Sequence, residues 1–115
     1  MLSYNHRFHG YNSFRYVYRN GATVRNPQLA LKYAVNERRK TWRCGVVVSR
    51  KVSKSAVVRN RVRRRIYEAI RLHTEGIKQP FEIVFTVFDE NIATMPHAEL
   101  TKLVKGNLTA AGIIA

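Results

Sequence analysis

Ala56-Val57-Val58-Arg59-Asn60-Arg61-Val62-Arg63-Arg64-Arg65-Ile66-Tyr67-Glu68-Ala69-Ile70 is the stretch on which the fold turns. Val58, Val62, Ile66, Ala69 and Ile70 recur at three- and four-residue steps, so they line one stripe of an amphipathic helix. That helix is expected from about Ser55 to His73, with Gly76 closing the segment. On a wheel of roughly 100° per residue the stripe fills about a quarter of the circumference. Arg59 and Arg63 fall on one flank, and Asn60, Arg61 and Arg64 occupy the outer arc. Arg65 sits at the apolar edge, where its stem lies on apolar neighbours while its head reaches outward.

Outward from the helix the pattern changes to that of strands. Trp42 to Ser49, centred on Val46-Val47-Val48, is an unbroken apolar run that implies cover on both faces. Phe81 to Phe88 follows, with Phe81, Ile83, Phe85 and Val87 on one side. A helix joining two core strands is the pattern of a crossover between parallel neighbours, for which the general rule gives a right hand.

Earlier in the chain, Leu29 to Val35 reads as a strand and residues 22–25 as a short one, separated by the turn Asn26-Pro27. Asn12 or Ser13 caps a first helix in which Phe14, Val17 and Tyr18 share a face, and Gly21 is placed to end it in the left-handed conformation. Residues 1–11 are expected to be extended and draped over the domain. After Phe88, Pro96 suits the first turn of a last helix whose Leu100, Leu103, Val104 and Leu108 are buried. The expectation is one domain over residues 1–115. Its class is α+β, a two-layer or sandwich arrangement of three helices and a roughly four-stranded sheet.

The charge is lopsided. The formal net charge is +14, and residues 1–67 hold 17 of the 21 Lys and Arg but only one acid, Glu37. From Arg50 to Arg65 there are eight bases and no acid. A solvated helix face ordinarily mixes signs, so the missing acids point to a polyanion. Arg59 and Arg63, four apart, carry stems roughly 5–6 Å from each other, comparable to neighbouring phosphates on one strand. The guanidinium fork donates two hydrogen bonds to one phosphate. Glu68, four after Arg64, is the acid placed to relieve the repulsion, and the amides after Ser53 and Ser55 form a further anion site.

No catalytic set is visible. Asp89-Glu90 is the one adjacent acidic pair and reads as a solvated turn, whereas a two-metal nuclease needs clustered carboxylates. His6 and His9 lie in the extended tail, and His73 reads as a core or capping histidine. Cys44 is a lone thiol inside an apolar strand, which fits a buried cysteine in a reducing compartment. No apolar run approaches the ~20 residues of a membrane span, so the expected location is cytoplasmic, with no membrane partner.

The run from Arg43 to Ile66 resembles the signature of the bacterial ribonuclease P protein. Ser49-Arg50-Lys51 stands at the strand end where that family has Ser-Lys-Lys. Ala56-Val57-Val58-Arg59-Asn60-Arg61-Val62-Arg63-Arg64 stands where it has Ala-Val-x-Arg-Asn-Arg-x-Lys-Arg. Arg7-Phe8, with Phe14, Val17, Tyr18 and Gly21, resembles the family's first segment.

The resemblance implies a left-handed crossover, a hand the residues themselves do not reveal. It implies a catalytic RNA that uses magnesium to remove the 5′ leader of precursor tRNA, while the protein itself holds no cofactor. Partners would be that RNA and precursor tRNA, with no obligate protein partner. Arg59, Asn60, Arg61, Arg63 and Arg64, beside Ser49, Arg50 and Lys51, become RNA contacts, and Phe14, Tyr18 and Lys32 line a cleft for the single-stranded leader. Phe14 has a second reading as plain core. Lys32 departs from the aromatic or apolar residue usual at its place, and Ser53-Lys54-Ser55 replaces a loop glycine. A structural or ribosome-associated RNA binder and a DNA-binding module are the competing classes.

Overall fold

The computed structural model describes residues 3–115. The three helices and four strands form in the expected order: α1 (Asn12–Asn20), β1 (Ala22–Arg25), β2 (Leu29–Val35), β3 (Arg43–Val47), α2 (Ala56–Arg71), β4 (Phe81–Val87) and α3 (His97–Ala110). Short 3₁₀ turns lie at Tyr4–His6, Thr74–Gly76 and Glu90–Ala93. The sheet order is β1-β2-β4-β3. β1 and β2 are antiparallel, as are β2 and β4, but β3 and β4 run parallel with Cys44 beside Ile83 and Val46 beside Phe85. Thus α2 is the crossover between parallel neighbours that the strand–helix–strand pattern predicts.

The registers sort the sheet into two faces. Leu29, Leu31 and Tyr33 of β2 pair with Val87, Phe85 and Ile83 of β4. Because side chains alternate, these share a face with Cys44 and Val46. That face meets Val62, Ile66, Ala69 and Ile70 of α2 and Leu100, Val104 and Leu108 of α3 in one continuous core. The opposite face carries Lys32, Gly45, Glu82 and Val84 and receives α1, which packs on β2 and β4. Val17 of α1 is fully buried there, and Ser13 donates to Glu82 at 2.9 Å. Helices therefore cover both faces, the sandwich form of the expected fold. Tyr33, one place out of step with Lys32, goes to the other face and meets Phe81 edge-on.

Three expectations need correction. The N-cap of α1 is Tyr11, with no side-chain cap, and not Asn12 or Ser13; the Ser13 hydroxyl is turned to Glu82 instead. Gly21 has φ −85°, so it is not left-handed. A Cβ there would lie 2.5 Å from the Val17 carbonyl oxygen and 2.9 Å from that of Tyr33. Glycine is required by close approach of α1 to β2, not by a turn conformation. The amino-terminal segment is also more than a draped tail. Tyr4–His6 is a 3₁₀ turn, and Arg7 forms a parallel bridge with Cys44 on the free edge of β3. His6 stacks on Trp42 at 4.1 Å and its Nδ1 lies 2.8 Å from the Trp42 carbonyl. Residues 1 and 2 lie outside the described residues.

Candidate RNA interface

The loop Ser49–Ser55 is built by short-range hydrogen bonds. The Ser49 carbonyl accepts from the amides of Val52 and Ser53, and Ser53 Oγ accepts from the Ser55 amide. Ser55 then caps α2, its Oγ accepting from the Val58 amide at 3.2 Å. A glycine is unnecessary because serine hydroxyls hold the turn. The cap also takes one of the amides that a phosphate at the helix terminus would have used.

The arginines of α2 separate by task. Arg59 donates to the Ser53 carbonyl at 3.0 Å, which clamps the loop to the helix. Arg63 donates to the Asn60 side-chain carbonyl. Arg65, from the apolar edge, reaches the carbonyls of Ile92 (2.6 Å) and Met95, so it ties α2 to the segment before α3. Glu68 pairs with Arg71 rather than with Arg64, and the Arg71 guanidinium holds its carboxyl down to about 2. Asn60, Arg61 and Arg64 are exposed along the ridge.

The ridge divides two grooves. One, of about 670 Å³, is lined by Arg50, Lys51, Lys54, Ala56 and Arg59. The other, of about 440 Å³, is lined by Arg61, Arg64, Arg65, Glu68, Ala93 and His97. Arg59 and Arg61 thus face different grooves, while Arg59 and Arg63 each spend one donor on a neighbour within the protein. Lys54 belongs to the basic run and was open to the same reasoning. His97 comes from α3, and no local pattern could have placed it here.

Phe14, Tyr18 and Lys32 do meet. The rings of Phe14 and Tyr18 lie 6.5 Å apart, and Lys32 Nζ sits 5.7 Å above the Tyr18 ring. Lysine thus adds positive charge beside the aromatic platform. Phe8 joins them edge-on to Phe14 at 4.9 Å. Phe14 is wedged over Gly45, where a Cβ would lie 2.6 Å from its ring, whereas Tyr18 is 51% exposed. Phe14 therefore shares both of its readings, packing and platform, while Tyr18 offers the open ring. On the other side of the sheet, burial raises the Cys44 thiol far above its ordinary range, so it stays protonated and inert.

A mixed sheet sheathed on both faces, with an acid-poor arginine ridge between two basic grooves, defines an α+β protein with a strongly cationic face. A family model described as Ribonuclease P matches residues 2–112. The chain belongs to the ribonuclease P protein family. It is 42% identical over 87 residues to the ribonuclease P protein component of Chloroflexus aurantiacus, a match spanning 76% of this chain and 63% of that protein's length. The corresponding protein of a Pseudanabaena species is 34% identical over 115 residues, covering 99% of this chain and 97% of the relative. Among solved structures, the RNase P protein of Staphylococcus aureus superposes with a TM-score of 0.83 at 24% identity, covering 96% and 98% of the two chains. That of Thermotoga maritima gives 0.78 at 20% identity over 90% and 96%. These likenesses match the fold.

Proposed function

We propose that this chain is the RNA-binding protein subunit of a ribonuclease P, assisting a catalytic RNA in endonucleolytic removal of the 5′ leader from precursor tRNA. The observation that carries this reading is the ridge of α2, where Asn60, Arg61 and Arg64 stand exposed between two cationic grooves in a protein of this family. Arg61, Arg64, Arg50 and Lys51 neutralise phosphates of the catalytic RNA, and Arg59 keeps the loop in place to do so. Tyr18, Phe14 and Lys32 hold the leader, because stacking on an aromatic ring accepts any base and is worth about 1–3 kcal/mol per base. Magnesium, held by the RNA, supplies the hydrolytic chemistry. The protein supplies charge neutralisation and substrate retention. The reaction is placed in the cytoplasm.

Reconstitution with the candidate catalytic RNA and a leader-bearing precursor tRNA at low magnesium tests the reading. The protein should raise the rate of 5′ processing, and no increase rejects the proposal. Arg59→Ala with Arg61→Ala should weaken RNA affinity and flatten its salt dependence by about one unit of slope per lost phosphate contact. Unchanged affinity and slope would mean that the ridge is the wrong surface.

A further inference from the structure

On the flank of α1 away from Phe14 and Tyr18 lies another groove, of about 790 Å³, between Asn12, Tyr16, Arg19 and Asn20 of the helix and Asn36, Arg38 and Arg39 of the β2–β3 loop. Its size is that of a small-molecule site. Glu82, at the start of β4, also lines it, although its side chain is only 1% exposed. One carboxylate oxygen, Oε1, is well supplied: Ser13 donates at 2.9 Å, Arg39 Nε lies at 3.3 Å and Arg43 Nη1 at 4.0 Å. The other, Oε2, is buried and has no hydrogen-bond partner. An ionised carboxylate accepts about four hydrogen bonds, so a buried oxygen with none is costly and needs an explanation.

The surroundings restrict what can satisfy it. A bare cation would be repelled by Arg19, Arg38 and Arg39, and a bare anion gives Oε2 nothing to accept. A ligand that carries an N–H donor at one end and negative charge at the other meets both demands. Tyr16 is a fixed wall beside it, since its hydroxyl donates to the Val35 carbonyl at 2.8 Å. An aromatic wall, an acceptor at the floor and guanidinium groups at the rim are the parts from which proteins build sites for unstacked RNA bases.

We propose that this groove binds one nucleotide of a single-stranded RNA segment. The base lies along Tyr16 and, with the half-exposed Arg39 side chain shifted off the buried carboxylate, donates an amino hydrogen to Glu82 Oε2, and the phosphate lies against Arg19 and Arg38. Cytosine, adenine and guanine each present an exocyclic amino group. Uracil offers only an N–H flanked by two carbonyls, which meet the carboxylate as like dipoles. The groove therefore selects amino-bearing bases over uracil, whereas the Tyr18 platform across the helix is indifferent to base. This rests on the reading of the chain as an RNA-binding protein and adds base selection to it.

The test is an NMR titration of the ¹⁵N-labelled full chain with CMP, GMP, UMP and inorganic phosphate. CMP and GMP should shift the amides of residues 36–39 and saturate about three- to tenfold below UMP, the ratio one hydrogen bond supplies. Equal responses to CMP and UMP, equal responses to CMP and phosphate, or no response from that loop would each overturn the proposal. Glu82→Gln should erase the preference for CMP. Should that variant not fold, Arg19→Ala with Arg38→Ala, both exposed, should weaken CMP and UMP alike without lowering Tm, and unchanged binding overturns the site. Arg59→Ala with Arg61→Ala should leave the nucleotide titration intact. Failure of the groove alone, with binding to the catalytic RNA retained, would sink this inference and not the function proposed above.

Discussion

Arg65 shows how little a residue's type says about its work. It stands at the end of an acid-free basic run, yet its guanidinium serves the carbonyls of Ile92 and Met95 and so fixes the segment that carries His97. Arg61, four positions earlier, is exposed and lines a groove. The two should separate experimentally. Arg65→Met keeps an apolar stem but strands two carbonyls; it should cost about 1.5–3 kcal/mol, the worth of hydrogen bonds from a charged donor. It should lower Tm while leaving the salt slope of RNA binding unchanged. Arg61→Ala should do the reverse. Thermal denaturation and a salt titration on both variants decide it, and a reduced slope for Arg65→Met would return that residue to the RNA surface.

At the scale of elements, the contact of β3 with α1 and the amino-terminal segment turns on Gly45. A Cβ at that position would lie 2.6 Å from Phe14 and 2.7 Å from Phe8. Gly45→Ala should therefore expel one ring and cost about 1–3 kcal/mol, as overpacking does. In a double-mutant cycle, Phe14→Ala should cost less beside Gly45→Ala than in the native chain. Strict additivity, measured by denaturant unfolding, would show that Phe14 does not press on Gly45. The periodicity of α2 and the apolar runs of β3 and β4 made these elements legible. The pinning of residues 4–8 was not, since a parallel bridge to Cys44 and a His6–Trp42 stack depend on residues some 36 positions away.

Over the whole molecule, the positive charge is spread more widely than a single binding face. The bases of α2 and its loop lie on one side of the sheet, and Arg19, Arg38 and Arg39 gather around α1 on the other. At a net charge of +14, self-repulsion opposes compaction. Tm should rise with added sodium chloride through screening, and rise further with polyanions that bind the folded state. Differential scanning calorimetry across salt and inorganic polyphosphate would measure this. A Tm that falls with moderate salt would mean that attractive pairs, such as Arg39–Glu82, outweigh the repulsion. Among the described residues, no helix is long and apolar enough to cross a membrane.

What the sequence determined by itself was whatever is carried by neighbours along the chain. Hydrophobic spacing fixed α2 and the core strands, a strand–helix–strand order implied the parallel pair, and the acid-free run from Arg50 to Arg65 marked the cationic ridge. Tertiary structure decided the direction of each charge. Arg59, Arg61, Arg63 and Arg65 are alike in composition. Whether a guanidinium meets a carbonyl, an amide or an open groove depends on which distant backbone the fold brings beside it. Tertiary packing likewise left Glu82 Oε2 buried without a partner, because Ser13, Arg39 and Arg43 converge on the other oxygen from three separate elements. No spacing along the chain encodes that convergence.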